Sequence, residues 1–279
     1  MAKLTESFRE LAIRLAQKDR AVAAGVAATV GLTATWGWRR FGPAAIIPAV
    51  AIGSGALASL QLETFRRLNQ RQQWAYAQTE ALVSLFATVP FRRPLPPMRG
   101  WAISPDFAVI IVRTILDQRP SLIVETGSGI STLIAAYCLE QVGAGRIVSL
   151  DHDAEFAAVT RLLLKEHGLE TFVEVRHAPL ANTPSGRWYK QSAWEDLKCI
   201  DLAIVDGPPS TTGPLARYPV VPLLGKLLSP TAVILVDDAD RPDEQAMVNE
   251  WVHEGLILDQ PPIATEKGTA ILRRGASLS

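Results

Sequence analysis

Two cysteines in 279 residues, Cys138 and Cys199, are too few and too far apart for a disulfide framework. Neither lies in a CxxC pair or a Cys/His cluster, which argues against a structural zinc site. Each sits in an apolar stretch and reads as a buried free thiol in a reducing compartment. Excess charge of one sign is missing too. The 28 basic and 28 acidic residues cancel, so no basic field points to nucleic acid. Internal repeats are not evident.

What is present is unevenly spread. The apolar fraction of 48% is high for a soluble chain. Residues 1–20 form a basic, amphipathic tail with Lys3, Arg9, Arg14, Lys18 and Arg20. Two stretches without charge follow, Ala21 to Trp38 and Phe41 to Leu62, separated by Arg39 and Arg40. Each has roughly the length of about 20 residues that a bilayer-spanning helix needs. A cleaved signal peptide fits poorly, because the apolar region is too long and a second one follows. Arg66, Arg67 and Arg71 balance the basic tail, so a membrane hairpin would keep both ends in the cytoplasm. Ala51, Gly55 and Ser59 are small residues at helical spacing that would let its two arms pack closely. A soluble helical hairpin, buried against a partner or against the rest of the chain's catalytic domain, is the other reading of residues 21–62. From Glu63 to Val89 the chain is polar and helix-favouring, and Pro90, Pro94, Pro96 and Pro97 then end any helix. Residues 63–97 are expected to be a linker, with the catalytic domain at 98–279.

That last part alternates strand and helix signals. Strands are expected at Leu122 to Val124, Ile147 to Leu150, Phe172 to His177, Leu202 to Val205, Ala232 to Val236 and Thr269 to Arg273. Helices are expected over Ser131 to Val142 and Asp153 to His167, and from about Leu215 and Pro242. Near-continuous apolar strands are buried on both faces. The pattern predicts a doubly wound, Rossmann-like α/β sheet of seven strands with a late antiparallel strand.

Ligands of such sheets bind beyond the carboxyl ends of the strands, so the residues just after each apolar run carry the information. After the first strand stands Glu125-Thr-Gly127-Ser-Gly129-Ile-Ser131-Thr132. The glycines allow a tight turn and close approach of the backbone, and a helix N-terminus follows. A dinucleotide fingerprint would place a third glycine where Thr132 stands, and the carboxylate of Glu125 suits a cationic ligand better than a pyrophosphate. Asp151 ends the second strand, where a carboxylate can accept both hydroxyls of a ribose. It can equally serve as a local cap, since Asp153 opens the next helix. Asp206 ends the fourth strand and Asp237-Asp238 the fifth. With adjacent strands about 4.8 Å apart, these three carboxylates could meet on one octahedral Mg²⁺. Capping and loop hydrogen bonds would need the same residue types.

Glu125-x-Gly127-x-Gly129, then Asp151, then Asp201-Leu-Ala-Ile-Val-Asp206 resembles the motifs of class I S-adenosylmethionine-dependent methyltransferases, over about residues 98–279. The resemblance extends to the Glu266-Lys267-Gly268-Thr269 turn. It implies S-adenosyl-L-methionine as cofactor, with Glu125 and the glycine loop, including Ser131, at the methionine portion. Asp151 would hold the ribose, and His152 and Ala178-Pro179-Leu180 would flank adenine. Ser104-Pro105-Asp106 resembles a segment that helps close over the cofactor. The three aspartates resemble the metal site of O-methyltransferases acting on catechol or sugar hydroxyls, where Asp206 would be catalytic. Unlike in that group, Gly207-Pro208-Pro209 rather than a lysine follows Asp206, leaving the base between Asp206 and His177.

The acceptor expected is a small molecule or glycan, bound by loops Asn182–Trp194 (Arg187, Trp188, Tyr189, Lys190, Trp194) and Ser210–Tyr218 (Arg217, Tyr218), although such loops also serve as packed lids. The segments Asp206-Gly-Pro-Pro and Asp237-Asp-Ala-Asp-Arg241 resemble a methyltransferase subfamily associated with glycan assembly, which would suit a domain tethered to the cytoplasmic face of a membrane. Two alternatives remain open from sequence. A nicotinamide-dependent oxidoreductase is disfavoured by Thr132 and by the lack of a Tyr-x-x-x-Lys pair. A non-catalytic membrane scaffold is disfavoured by the intact carboxylates.

Overall fold

The structure is a computed structural model that describes residues 46–258 and 261–274, with residues 36, 39–40 and 42. The chain divides into two compact units, Met1–Ala75 and Tyr76–Ser279. The basic tail, the first apolar run and the start of the second lie outside the described residues, as do the side chains of residues 46–57. Among the described residues no helix is long and apolar enough to cross a membrane.

Helix α1 covers Ile46–Thr88 without a break. The expected division near Leu62 between an apolar arm and a separate linker helix is therefore not observed. No proline or glycine interrupts the backbone after Gly55, and an Arg67–Glu63 pair at 2.8 Å spans one turn of the exposed polar stretch. The boundary also moves. The second unit begins at Tyr76 rather than Met98, because Gln78, Leu85 and Val89 are buried within it. Gln78 bonds both the side chain and the backbone N–H of Asp106, at 2.7 and 3.2 Å.

The elements of the second unit after α1 are α2 (Pro105–Gln118), β1 (Leu122–Thr126), α3 (Ile130–Val142), β2 (Arg146–Asp151), α4 (Ala154–Glu166) and β3 (Val173–His177). Then come a hairpin, β4 (Leu180–Thr183) and β5 (Gly186–Tyr189), followed by β6 (Ile200–Val205), α5 (Val220–Leu224), β7 (Leu228–Asp237), α6 (Pro242–His253), β8 (Ile257–Leu258) and β9 (Thr269–Arg273). Seven strands form one sheet in the order β3-β2-β1-β6-β7-β9-β8. The pairs from β3 to β7 are parallel, and β9 runs antiparallel to both its neighbours. The expected Rossmann-like sheet with one late antiparallel strand is what forms.

The two-residue period of the strands divides their side chains between two cores. Ile123, Ile147, Leu202, Ile204, Val233 and Leu235 face one core with α2, α3 and α4. Leu122, Val124, Val148, Ala203, Ile234 and Val236 face the other with Trp188, Tyr189, α5 and α6. Helix α3 is apolar almost all round and correspondingly buried from Ile130 to Leu139. Its first-face neighbour α4 starts where the Asp153 side chain accepts the N–H groups of Glu155 and Phe156 at 2.8 and 3.2 Å.

Two local expectations fail. Cys138 is buried, and burial pushes its thiol up to about 12, but Cys199 is exposed in the turn before β6. The segment Asn182–Trp194 is not an open loop: it forms the β4–β5 hairpin, and Trp188, Tyr189 and Trp194 are core residues.

If the catalytic unit includes the end of α1, Leu85→Ala should destabilise it by about 2–5 kcal/mol in urea unfolding, as a core truncation does. A loss below about 0.5 kcal/mol, typical of a surface position, would return the boundary to Met98.

Candidate active site

Chain order reverses direction across the sheet between β1 and β6: β1, β2 and β3 extend one way, β6 and β7 the other. In open α/β sheets such a reversal, at the carboxyl ends of the strands, is where ligands bind. Glu125, Asp151 and Asp206 stand at the tips of β1, β2 and β6, three adjacent strands, so the expected carboxylates share one edge.

Gly127 adopts φ +91° and donates its N–H to Leu150 O at 2.8 Å, tying the turn to the end of β2. Within this turn Thr132 does work that a glycine could not. Its hydroxyl accepts the Gly129 N–H at 2.9 Å and donates to Glu125 Oε2, which also accepts the Ser149 hydroxyl at 2.8 Å. Glu125 is fully buried, and its Oε1 has no hydrogen-bond partner. Burial pushes this carboxyl up to about 7, against the nearby hydroxyls of Ser131, Thr132 and Ser149, which favour the anion.

Asp151 is 5% exposed. Its Oδ2 accepts the backbone N–H and hydroxyl of Ser128, and its Oδ1 accepts the N–H of Asp153 at 3.0 Å. An ionised carboxylate offers about four lone-pair positions, so this one retains capacity for a ligand hydroxyl. His152 Nδ1 lies 3.7 Å from Asp151 Oδ1, and buried Ala178 donates its N–H to Asp151 O. The residues expected around a ribose and a base are thus neighbours. Asp201 is different: it sits at the opposite end of β6 and accepts the Ser121 N–H at 2.9 Å, a structural tie.

At the β6 and β7 tips, Asp206, Asp237 and Asp238 each place a carboxylate oxygen within 4.8 Å of the others. The expected convergence is present, but the gaps between them hold cations. Arg217, 4% exposed, donates from NH2 to Asp238 Oδ2 at 2.9 Å and to Asp206 Oδ1 at 3.3 Å. It also donates to the backbone carbonyls of Asp206 and Asp237 at 3.0 and 2.9 Å. Lys267 Nζ stands 3.7 Å from Asp237 Oδ2 and 3.8 Å from Asp238 Oδ1. Burial pushes the Asp206 carboxyl well above its usual range, and burial with the adjacent Asp238 charge raises Asp237 to about 6.

These contacts correct three expectations. Arg217 is not free to meet an acceptor, and Tyr218 donates to Glu254 at 2.6 Å. A lysine does reach the acidic centre, from the turn before β9 rather than from the loop after β6. His177, at the tip of β3, is separated from the β6 tip by β2 and β1, about 14 Å at the usual strand spacing, too far to act as base there. Tyr189, expected in an acceptor-binding loop, is instead a buried residue beneath the site. A side chain on Gly207 would begin 2.7 Å from its hydroxyl, so this buried phenol packs under the turn after β6.

The sheet order, the glycine turn and the acidic tip of β2 define the class I methyltransferase type of site. Residues 124–239 match the model of a family described as a methyltransferase domain. This part of the chain thus matches a methyltransferase domain, in line with the resemblance read from its motifs. In fold the chain is similar to an S-adenosylhomocysteine-bound methyltransferase from Podospora anserina, at 19% identity and a TM-score of 0.52, covering 76% of this chain and 95% of that one. It is similar also to a Klebsiella pneumoniae protein proposed to be an O-methyltransferase, at 17% identity and a TM-score of 0.53, covering 74% and 100%. No curated protein matches the chain.

The raised Glu125 carboxyl has a consequence for stability. The folded state holds this proton up to about pH 7, whereas the unfolded chain releases it near the ordinary 4.5. The contribution is thus present in full below pH 4.5 and is lost as the pH rises through 7. In urea unfolding at pH 5 and pH 8, the parent should lose about 3 kcal/mol more than Glu125→Gln over that interval. Equal losses in the two proteins would show that Glu125 ionises normally.

Proposed function

We propose that this protein transfers a methyl group from S-adenosyl-L-methionine to a hydroxyl of a sugar or other small molecule. The supporting observation is the shared edge of β2, β1 and β6, which carries Asp151, the Glu125 turn and Asp206 at adjacent strand tips. Bound there, the cofactor would supply an electrophilic methyl group on sulfur.

The chain's own residues divide the remaining tasks. The unpartnered Glu125 Oε1 suits the ammonium of a methionine portion, with Gly127, Gly129 and Ser131 shaping the turn around it. Asp151 has room to accept one ribose hydroxyl, and His152 and Ala178 flank the place of an adenine. Asp206 is the partly exposed member of the acidic group, with 18% of its side chain open, so an acceptor hydroxyl can reach it. In its ionised form its carboxylate can accept a hydrogen bond from the acceptor hydroxyl and take the proton that the hydroxyl loses. A catalyst is favoured over a scaffold because these oxygens are positioned but not all satisfied within the chain.

The apolar runs support an N-terminal membrane anchor that would hold the domain at the cytoplasmic face beside a lipid-linked or other membrane-borne acceptor. An anchored protein would remain in the pellet after alkaline carbonate washing of membranes, whereas residues 76–279 alone would be released. Release of both would end the anchoring proposal.

Calorimetric titration with S-adenosylhomocysteine tests the cofactor. The parent is expected to bind, and Asp151→Ala to bind at least about tenfold more weakly, the loss of about 1.4 kcal/mol of charge-assisted hydrogen bonding. Unchanged affinity in the variant would remove Asp151 from the pocket.

A further inference from the structure

We infer that Arg217 and Lys267 together occupy the place of the divalent ion at the acidic centre, so that the site works without metal. Asp206, Asp237 and Asp238 provide the hard oxygen donors that Mg²⁺ prefers. They fit that ion in kind. An octahedral Mg²⁺ with bonds of about 2.1 Å holds neighbouring oxygens about 3 Å apart and opposite ones about 4.2 Å apart. Here the three oxygens lie within 4.8 Å of one another, so what stands between them decides.

The spaces between the carboxylates are already bridged. The guanidinium of Arg217 joins Asp206 to Asp238, and the ammonium of Lys267 lies between Asp237 and Asp238. Two monovalent side chains thus bring the same charge, +2, as one Mg²⁺ would. The outer pair adds nothing to that balance: Glu244 lies 3.7 Å from Arg217 Nε, and Arg241 lies 2.9 Å from Asp238. Adding a divalent ion would leave the group with a net positive charge in a buried place.

Neither cation is free to withdraw. Arg217 would surrender its bonds to the carbonyls of Asp206 and Asp237, which hold the tips of β6 and β7 together. Lys267 donates to Ala102 O at 2.9 Å, and its own carbonyl accepts the Asp240 N–H at 3.1 Å. The next residue, Gly268, has φ +75°, and a Cβ there would come within 2.5 Å of the Asp240 backbone. The turn needs glycine at 268, and the two hydrogen bonds tie Lys267 to Ala102 and Asp240, so the ammonium is a built part of the site rather than a wandering surface charge. Of the three unpartnered oxygens on this pair, Asp237 Oδ2 and Asp238 Oδ1 face this ammonium just beyond hydrogen-bond distance, and Asp237 Oδ1 has no partner among the described residues.

On the methyl-transfer reading, an acceptor would then meet Asp206 through a single hydroxyl, with no metal to chelate. A vicinal diol would be unnecessary.

Mn²⁺ titration of the full chain, followed by electron paramagnetic resonance, tests the inference. The parent is expected to show no saturable binding up to about 1 mM, whereas Lys267→Gln, which empties one gap, should bind at least about tenfold more tightly. Adding Asp237→Asn to Lys267→Gln should abolish the gain. Saturable Mn²⁺ binding by the parent that Asp237→Asn removes would overturn the inference, and so would no gain in a folded Lys267→Gln. Should that variant not fold, the parent titration decides alone. The S-adenosylhomocysteine titration needs no metal, so a failure of the cofactor reading and a failure of this one are separately visible.

Discussion

Carboxylates buried at the ends of adjacent strands must be compensated, and the acceptor side of this site follows from how that is done. Left alone, Asp237 and Asp238 would meet a desolvation penalty of several kcal/mol each. Arg217 and Lys267 answer it from opposite directions along the chain, one from the loop after β6 and the other from the turn before β9. Because Arg217 also bonds two backbone carbonyls, the same contact that neutralises the acids holds the tips of β6 and β7. Charge compensation and shape are one interaction here.

The same economy runs to the cofactor side. Thr132 and Ser149 satisfy one oxygen of Glu125 and leave the other open, while Ser128 and Asp153 hold Asp151 in place without exhausting it. A fixed carboxylate with an unfilled lone pair is preorganised for a hydrogen-bond donor, since the ligand need not order it. The latch around Lys267 extends this order outward. Arg99 pairs with Glu266, and the Glu266 N–H meets Asp106, which Gln78 also holds. The segment ahead of β1 is thereby fastened to the turn that carries Lys267.

Much of this was legible before any coordinates. Unbroken runs such as Leu202-Ala-Ile-Val and Ala232-Val-Ile-Leu-Val specify buried parallel strands, and strand-helix alternation specifies their order. The positions of Glu125, Asp151 and Asp206 at strand ends followed directly. The β4–β5 hairpin was less visible because its strands are four residues each and its aromatic residues suit a lid as well as a core. The inward side of the end of α1 is not legible in the sequence because Gln78, Leu85 and Val89 are sparse among polar neighbours, and only packing shows which residues turn inward.

Local pattern and residue chemistry, which act over a few positions, determined the strands, the glycine turn and the acidic tips by themselves. Tertiary structure alone decided which charges face those tips. Arg217 and Lys267 are 50 residues apart, and nothing in the spacing of either announces the carboxylates it will meet. Electrostatic partners are chosen by distance in space, and that distance is set only once β6, β7 and β9 lie side by side.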